Sequence, residues 1–304
     1  MATLKGQNFR IYTWDATASK YKVVGMASSC TVTLNTNSED ASTKDDVGLA
    51  SKPEITSKSW QVQVDSLDVS DTAAILTAVK NLTQFTLMWD ESKTTDNQER
   101  NKAAFARKGT AYLSDVTFQF NDRANATKSL QFSGSGELET VGSSEASETI
   151  ALGSYTKGQF VRLLLSSDNT TTPSKVIAAA KQLSFHCSLT LEDSSTKDTT
   201  GDWTIQEPTG LSYDISTNAL IRSGETITSA VAAQTMNDLQ GIYEASLPVK
   251  WQIANTSGDN NRTKGSVLVS GSAVISTLTI NAQNRANGSY DAQFSGYGVY
   301  TVGA

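Results

Sequence analysis

The chain has 304 residues, with 25 Lys and Arg against 31 Asp and Glu, a formal net charge of −6, and two cysteines. That length suggests two domains, and the acidic balance excludes a protein built to grip nucleic acid, while suiting a wall past which nucleic acid slides. With only two cysteines, Cys30 and Cys187, far apart in the sequence, a disulfide framework is excluded. Met1-Ala-Thr-Leu-Lys-Gly carries no apolar signal region, and no apolar stretch approaches the length of a bilayer span. Synthesis in the cytoplasm without membrane insertion is the expectation. Thr, Ser, Asn and Gln dominate the polar residues, a mixture that favours strands and turns over long helices.

In chain order, Thr31-Val-Thr-Leu-Asn is the first alternating run, with Val32 and Leu34 facing a core. Trp60-Gln-Val-Gln-Val-Asp follows, placing Trp60, Val62 and Val64 on one side and Gln61, Gln63 and Asp65 on the other. Asp71 through Lys80 reads as a helix, because Ala is frequent, Ile75 and Val79 lie one turn apart, and Asp sits at its start. Leu113 to Phe120 gives a third strand with Val116, Phe118 and Phe120 inward. Arg123-Ala-Asn then reads as a turn, and Leu130 to Glu139 as a fourth strand with Gln131, Ser133, Ser135, Glu137 and Glu139 outward.

Gly142-Ser-Ser-Glu-Ala-Ser-Glu is small and polar and reads as a linker. Beyond it the pattern returns. Phe185, Cys187, Leu189 and Leu191 share one face, then Tyr213 and Ile215. A helix is expected over Thr226 to Leu239 on the strength of Ile227, Val231 and Leu239. Leu278 and Ile280, the Arg285-Ala-Asn turn, and a strand anchored by Phe294 and Tyr300 complete the series.

The two halves repeat one another. Lys5-Gly-Gln recurs at Lys157, Glu39-Asp-Ala-Ser-Thr-Lys-Asp as Glu192-Asp-Ser-Ser-Thr-Lys-Asp, Trp60 as Tyr213, and Trp89 as Trp251. Arg123-Ala-Asn recurs at Arg285, and Gln131-Phe-Ser-Gly-x-Gly at Gln293. Matches kept in the same order indicate a duplication. The expected organisation is a first domain over 1–141, a linker over 142–154 and a second domain over 155–304, each with its own core. The fold class is mainly β: two tandem sandwich or barrel-like domains, each flanked by one helix.

Chemistry is sparse. His186 is the only histidine, and alternation sets it on the opposite face from Cys187, so the two cannot form a catalytic pair. It reads as a polar strand residue. No Cys/His set for zinc exists, and no cofactor is implied. The Glu39-Asp40 and Glu192-Asp193 acids lie in solvated turn-like strings that lack the ligand alternation of a calcium loop. The glycines after Phe132 and Phe294 lie inside a strand pattern and read as a bulge or a close backbone approach, not a phosphate loop. The Arg123 and Arg285 turns read as solvated or as contacts to a neighbouring subunit.

At Glu39-Asp-Ala-Ser-Thr-Lys-Asp, followed by a long polar segment and Ser59-Trp-Gln-Val-Gln-Val-Asp-Ser-Leu, the chain resembles the major tail tube proteins of long-tailed bacteriophages. The second half departs from that pattern, with Tyr213 for the Trp and Asn218 for the Asp. The resemblance implies a non-enzymatic virion protein, assembled in the host cytoplasm, whose rings stack into a tube around the DNA path. Two such domains per chain imply trimeric, pseudo-hexameric rings. It further implies an inter-ring role for the loops from Glu39 to Lys58 and from Glu192 to Gly210, with Glu39, Asp40, Ser42, Thr43, Lys44, Asp45, Glu192, Asp193, Thr196, Lys197 and Asp198 as contacts. Gln61, Gln63, Asp65, Glu137 and Glu139 become lumen candidates, and Arg123 and Arg285 subunit contacts. DNA would pass without specific binding. Another β-rich virion component, or a sandwich-type binding module, remains the alternative.

Overall fold

The computed structural model describes residues 5–45, 50–67, 69–93, 100–142, 155–177, 179–199, 201–221, 233–256 and 264–303. The expected linker lies outside these residues except for Gly142. The first half runs β1 (Phe9–Asp15), β2 (Lys20–Val23), β3 (Ala27–Asp40), β4 (Pro53–Ser66), α1 (Thr72–Lys80), β5 (Gln84–Glu91), β6 (Arg107–Asn121) and β7 (Thr127–Thr140). The second runs β8 (Val161–Leu165), β9 (Lys175–Ile177), β10 (Ala180–Asp193), β11 (Gln206–Leu220), β12 (Ala233–Gln234), α2 (Met236–Ala245), β13 (Val249–Thr256), β14 (Lys264–Asn281) and β15 (Ser289–Val302). The chain is mainly β, and the short β12 is the one element of the second half with no counterpart among those of the first.

The correspondence extends to backbone detail. A 3-10 turn at Gly6–Asn8 leads into β1 and another at Gly158–Phe160 into β8. Met26 and Ala179, each just before the first long strand, adopt φ of 49° and 50°. Arg123 and Arg285 adopt 59° and 62° in the turns before β7 and β15, which confirms the turn reading of both Arg-Ala-Asn triplets. Within β6–β7 and β14–β15, register shifts fall at Leu113/Asp115 and at Ile275/Thr277.

Both halves join one sheet. In the first, β2-β1-β5-β6-β7-β4-β3 are neighbours in that order; in the second, β9-β8-β13-β14-β15-β11-β10 are. The halves are stitched where β10 pairs antiparallel with β6, from Gln182↔Asn121 to Ser188↔Asp115. Apolar residues at alternate positions point beneath the sheet, as the alternation requires. Trp60, Val62, Val64, Phe118, Phe132, Phe185, Tyr213, Trp251 and Phe294 all fall in one continuous buried cluster. The expectation of two separate cores is therefore corrected. Tyr300 of β15 donates from its hydroxyl to the Leu76 carbonyl of α1 at 2.7 Å, so a helix of one half is bonded to a strand of the other.

Two further expectations change. α2 begins at Met236, not Thr226, and residues 222–232 lie outside the described residues. Its start is fixed by a capping box. Thr235 Oγ1 accepts from the Asp238 amide, and the Asp238 carboxylate accepts from the Thr235 amide at 2.9 Å, satisfying two donors that a helix start leaves open. Leu239 and Ile242 are its buried residues. The loops also shorten. Glu39, Asp40 and Pro53 to Lys58 are strand residues, so β3 and β4 form a long hairpin, as do β10 and β11. The connecting segments are 41–52 and 194–205.

Candidate assembly surface

Eight strands, in the order β3-β4-β7-β6-β10-β11-β15-β14, are consecutive antiparallel neighbours. The face opposite the core is mainly polar along this path, with Val274 and Tyr297 of β14 and β15 as exceptions. Thr33 lies across from Gln61 and Gln61 across from Ser133, while Thr31, Gln63 and Gln131 form a second row. On the other side of the junction, Ser216 lies across from Gln293 and Gln293 from Thr277. Gln61 and Gln63 are exposed, as alternation predicts. Asp65 accepts from Ser129 Oγ and Ser29 Oγ, each at 2.6 Å, and these hydrogen bonds, that of Ser129 first, hold its carboxyl below the usual range. In the second half the corresponding carboxylate has moved one strand over. Asp291 on β15 accepts from Asn218 at 2.7 Å and from Asn281 at 2.8 Å. The Asn218 departure is thereby compensated.

Glu137 and Glu139 are exposed but lie past Gly136, whose φ is 84°, and past the stretch of β7 that β4 pairs. Glu139 faces Lys108 at 3.4 Å. Ser135, expected outward, is buried because Gln206 covers it, donating its amide to Ser135 Oγ at 3.0 Å.

His186 sits at the junction of the halves, a role that sequence reasoning missed. Its Nδ1 lies 2.7 Å from Asp214 of β11 and its Nε2 2.6 Å from Asp115 of β6. Partial burial opposes the charged imidazolium, but the two carboxylates outweigh burial and raise its pKa above the ordinary 6.5. The alternation placed His186 on the polar face; only the β6–β10 register puts a carboxylate on each side. Because the folded-state pKa is the higher one, the stabilisation is fully present below the unfolded value and is lost as pH rises through the folded value. Urea titrations of wild type and His186→Gln should differ most at about pH 5–6 and converge as the pH rises above the folded-state pKa. A gap that widens with pH would contradict this bridge.

The acidic repeats close the bases of the two loops. Asp40 accepts from the Ser42 amide at 3.0 Å, and Ser42 Oγ accepts from the Lys52 amide at 3.0 Å. Asp193 accepts from the Ser195 amide at 2.9 Å, and Ser195 Oγ accepts from the Ile205 amide at 2.9 Å. These are the turn-forming side-chain bonds that Asp and Ser favour. Glu39, Thr43, Lys44 and Asp45 are exposed beside one base, as are Glu192, Thr196, Lys197 and Asp198 beside the other.

The second loop also reaches back onto the first half. Lys58 Nζ lies 2.9 Å from the Asp202 carboxylate and 5.9 Å from the Trp203 ring centroid, and the Gly136 amide donates to Thr204 at 2.8 Å. The Arg123 turn docks on the second half through its backbone. Ala126 donates to Thr156 at 2.7 Å and Gly158 to Ala124 at 2.9 Å. The Arg123 side chain itself is exposed and lies 3.7 Å from Asp122. Among the described residues, no group of His, Cys, Asp and Glu could hold a metal ion, and no helix is long and apolar enough to cross a membrane.

No family model and no curated protein matches the chain. Among solved structures it is similar to a chain of the virion of a native gene transfer agent particle, at 15% identity and a TM-score of 0.34, over 49% of this chain and 99% of that one. A chain of the tail of an empty gene transfer agent particle matches at 14% identity and 0.34, over 49% and 99%. The SPP1 tail tube matches at 14% identity and a TM-score of 0.36, over 48% and 78%.

Proposed function

We propose that this chain is a structural subunit that assembles side by side with copies of itself, and that the assembly is a phage tail tube. The observation that carries this reading is the eight-strand polar face, which ends on both sides in strand flanks that no described residue pairs. A sheet ending in long open edges invites pairing with another chain, and a duplicated chain that pairs head to tail supplies two similar units per subunit to a closed ring. The units are 1–141 and 155–304, joined by 142–154, and the ring is a trimer that mimics six. The sequence resemblance to tail tube proteins supports the same reading independently.

In this reading the polar face lines the lumen. Gln61, Gln63 and Asp65 lie on it, and Thr, Ser, Gln and Asn outnumber its charges. Such a wall lets DNA pass without specific binding, since no basic row is there to neutralise phosphates. The exposed tips after Asp40 and Asp193 contact the next ring. The protein acts in the virion tail after assembly in the host cytoplasm, and no reaction is assigned to it. Sedimentation across a concentration series tests the proposal: hollow, fast-sedimenting tubes are expected. A compact monomer at every concentration, with other tail components added, would favour the binding-module alternative.

A further inference from the structure

The chain contains one complete junction between its halves and one open copy of each side of that junction. The complete junction has two parts. First, β10 lies against β6 from Asp115 to Asn121, beyond the segment of β6 that β5 occupies. Second, the 3-10 turn at Gly158 sits on the end of β6. A Cβ at Gly158 would lie 2.5 Å from the Asn121 backbone, so only glycine fits there.

The open copies are equally clear. β3 has the length, following hairpin partner and bulge position of β10, yet β4 is its one partner strand among the described residues. β14 pairs with β13 as far as Ala273, as β6 pairs with β5 as far as Tyr112, and its flank from Val274 to Asn281 then takes no strand. Gly6 repeats Gly158, but a Cβ there would meet nothing within 4 Å. No described residue explains that glycine.

Exposure agrees. Leu34 is 62% and Ile280 50% exposed, whereas the residues at the same places in the complete junction, Cys187 and Phe118, are both 0%. Tyr297 and Val299 are 57% and 64% exposed, where their counterparts Ser135 and Glu137 flank the Gly136 amide that Thr204 covers. Ala27 to Asn37 and Val274 to Asn281 contain no charge and no proline, two of the devices by which edge strands avoid pairing.

We infer that β3 and the Lys5-Gly6-Gln7 turn of one copy dock on β14 and the Arg285-Ala-Asn287 turn of a second copy, repeating the junction that β10 and the Lys157 turn make with β6 and the Arg123 turn. The register follows from the repeat. Val32 lies across from Ile280, Thr33 from Thr279 and Leu34 from Leu278, all antiparallel. Gly6 receives the close approach of Gln283, and Ser51 to Pro53 lie over Tyr297 to Val299. The pairing is head to tail, so it closes a ring or continues as a helix. It deepens the assembly reading above by naming the interface, and it can fail separately.

Two measurements test it. In a Cys30→Ser background, Thr33→Cys with Thr279→Cys, and Val32→Cys with Ile280→Cys, cover both kinds of cross-strand pair. After mild oxidation, non-reducing gels should show covalent ladders for at least one of them. Thr33→Cys with Thr277→Cys, two residues out of register, should give at least tenfold less. Gly6→Val should leave the monomer as stable as wild type yet lose assembly, because its clash exists only with a neighbour. Tubes without cross-links in either register pair would overturn the interface and leave the tube reading intact. Ladders without rings would uphold the interface and remove the ring. Monomers with neither would overturn both, and so would a Gly6→Val variant that still assembles overturn the interface.

Discussion

Asp90→Ala is expected to destabilise the protein by about 3–5 kcal/mol, the cost of leaving one partner of a buried pair uncompensated. Asp90 is fully buried and Arg100 only 3% exposed, with Nε 2.7 Å from the carboxylate. Asp90 also accepts from the Lys102 amide at 3.2 Å and the Ala103 amide at 2.9 Å, while Arg100 Nη1 donates to the Gly142 carbonyl at 3.0 Å. One carboxylate thus ties β5 to the segment entering β6. Removing it takes the carboxylate from the Arg100 guanidinium and from the Glu91, Lys102 and Ala103 amides at once. The double variant Asp90→Ala, Arg100→Met should recover part of the loss, since the buried guanidinium is removed together with its carboxylate. Urea unfolding of the three proteins checks this. A single variant within about 1 kcal/mol of wild type would show that water replaces the carboxylate.

The second large effect is Gly134→Ala, expected to cost about 3 kcal/mol through overpacking. The added methyl would lie 2.1 Å from Trp60 Cε2 and 2.3 Å from Cδ2. The indole cannot retreat. It is 1% exposed, lies 5.9 Å from the Trp89 ring with the two planes tilted by 59°, and donates from Nε1 to the Gly136 carbonyl at 3.1 Å. Gly296→Ala in the second half should cost less, because its nearest clash is 2.6 Å and falls on the Tyr213 ring. Thermal unfolding should rank the two variants in that order. Equal, small shifts would mean that the sheet opens enough to admit a methyl.

These two sites show what the sequence revealed and what it hid. The Gln-Phe-Ser-Gly-x-Gly repeat announced a close approach or a bulge, and it supplies both: Gly134 lies under an indole, and Gly136 takes a positive φ. Strands whose alternate residues enter the core were readable for the same physical reason, since burial imposes a period of two. The outer arms of the hairpins were not. Asn35 to Asp40 and Pro53 to Ile55 are exposed throughout, so no apolar rhythm marks them as strands. They are held by pairing alone.

α2 was misplaced for a related reason. Ile227, Val231 and Leu239 have helical spacing, but the first two lie outside the described residues, the start of α2 is set by the Thr235–Asp238 cap, and Ala233–Gln234 pairs as a short parallel strand with β9. The His186 bridge required a register between strands 71 residues apart in sequence, which no local pattern carries. The Glu-Asp-Ser-Thr-Lys-Asp repeat was conspicuous, yet its Asp and Ser are occupied with closing their own loops. Their bonds leave Lys44, Asp45, Lys197 and Asp198 to face outward.

In the proposed assembly, copies of this chain close into a ring with the polar face inward. Electron microscopy of the assembled protein, with class averages viewed down the axis, checks this arrangement. Hollow rings of three chains showing six similar lobes around an open centre are expected. Rings with another number of chains would contradict the trimer, and solid or open-ended assemblies with the polar face outward would contradict the conduit itself.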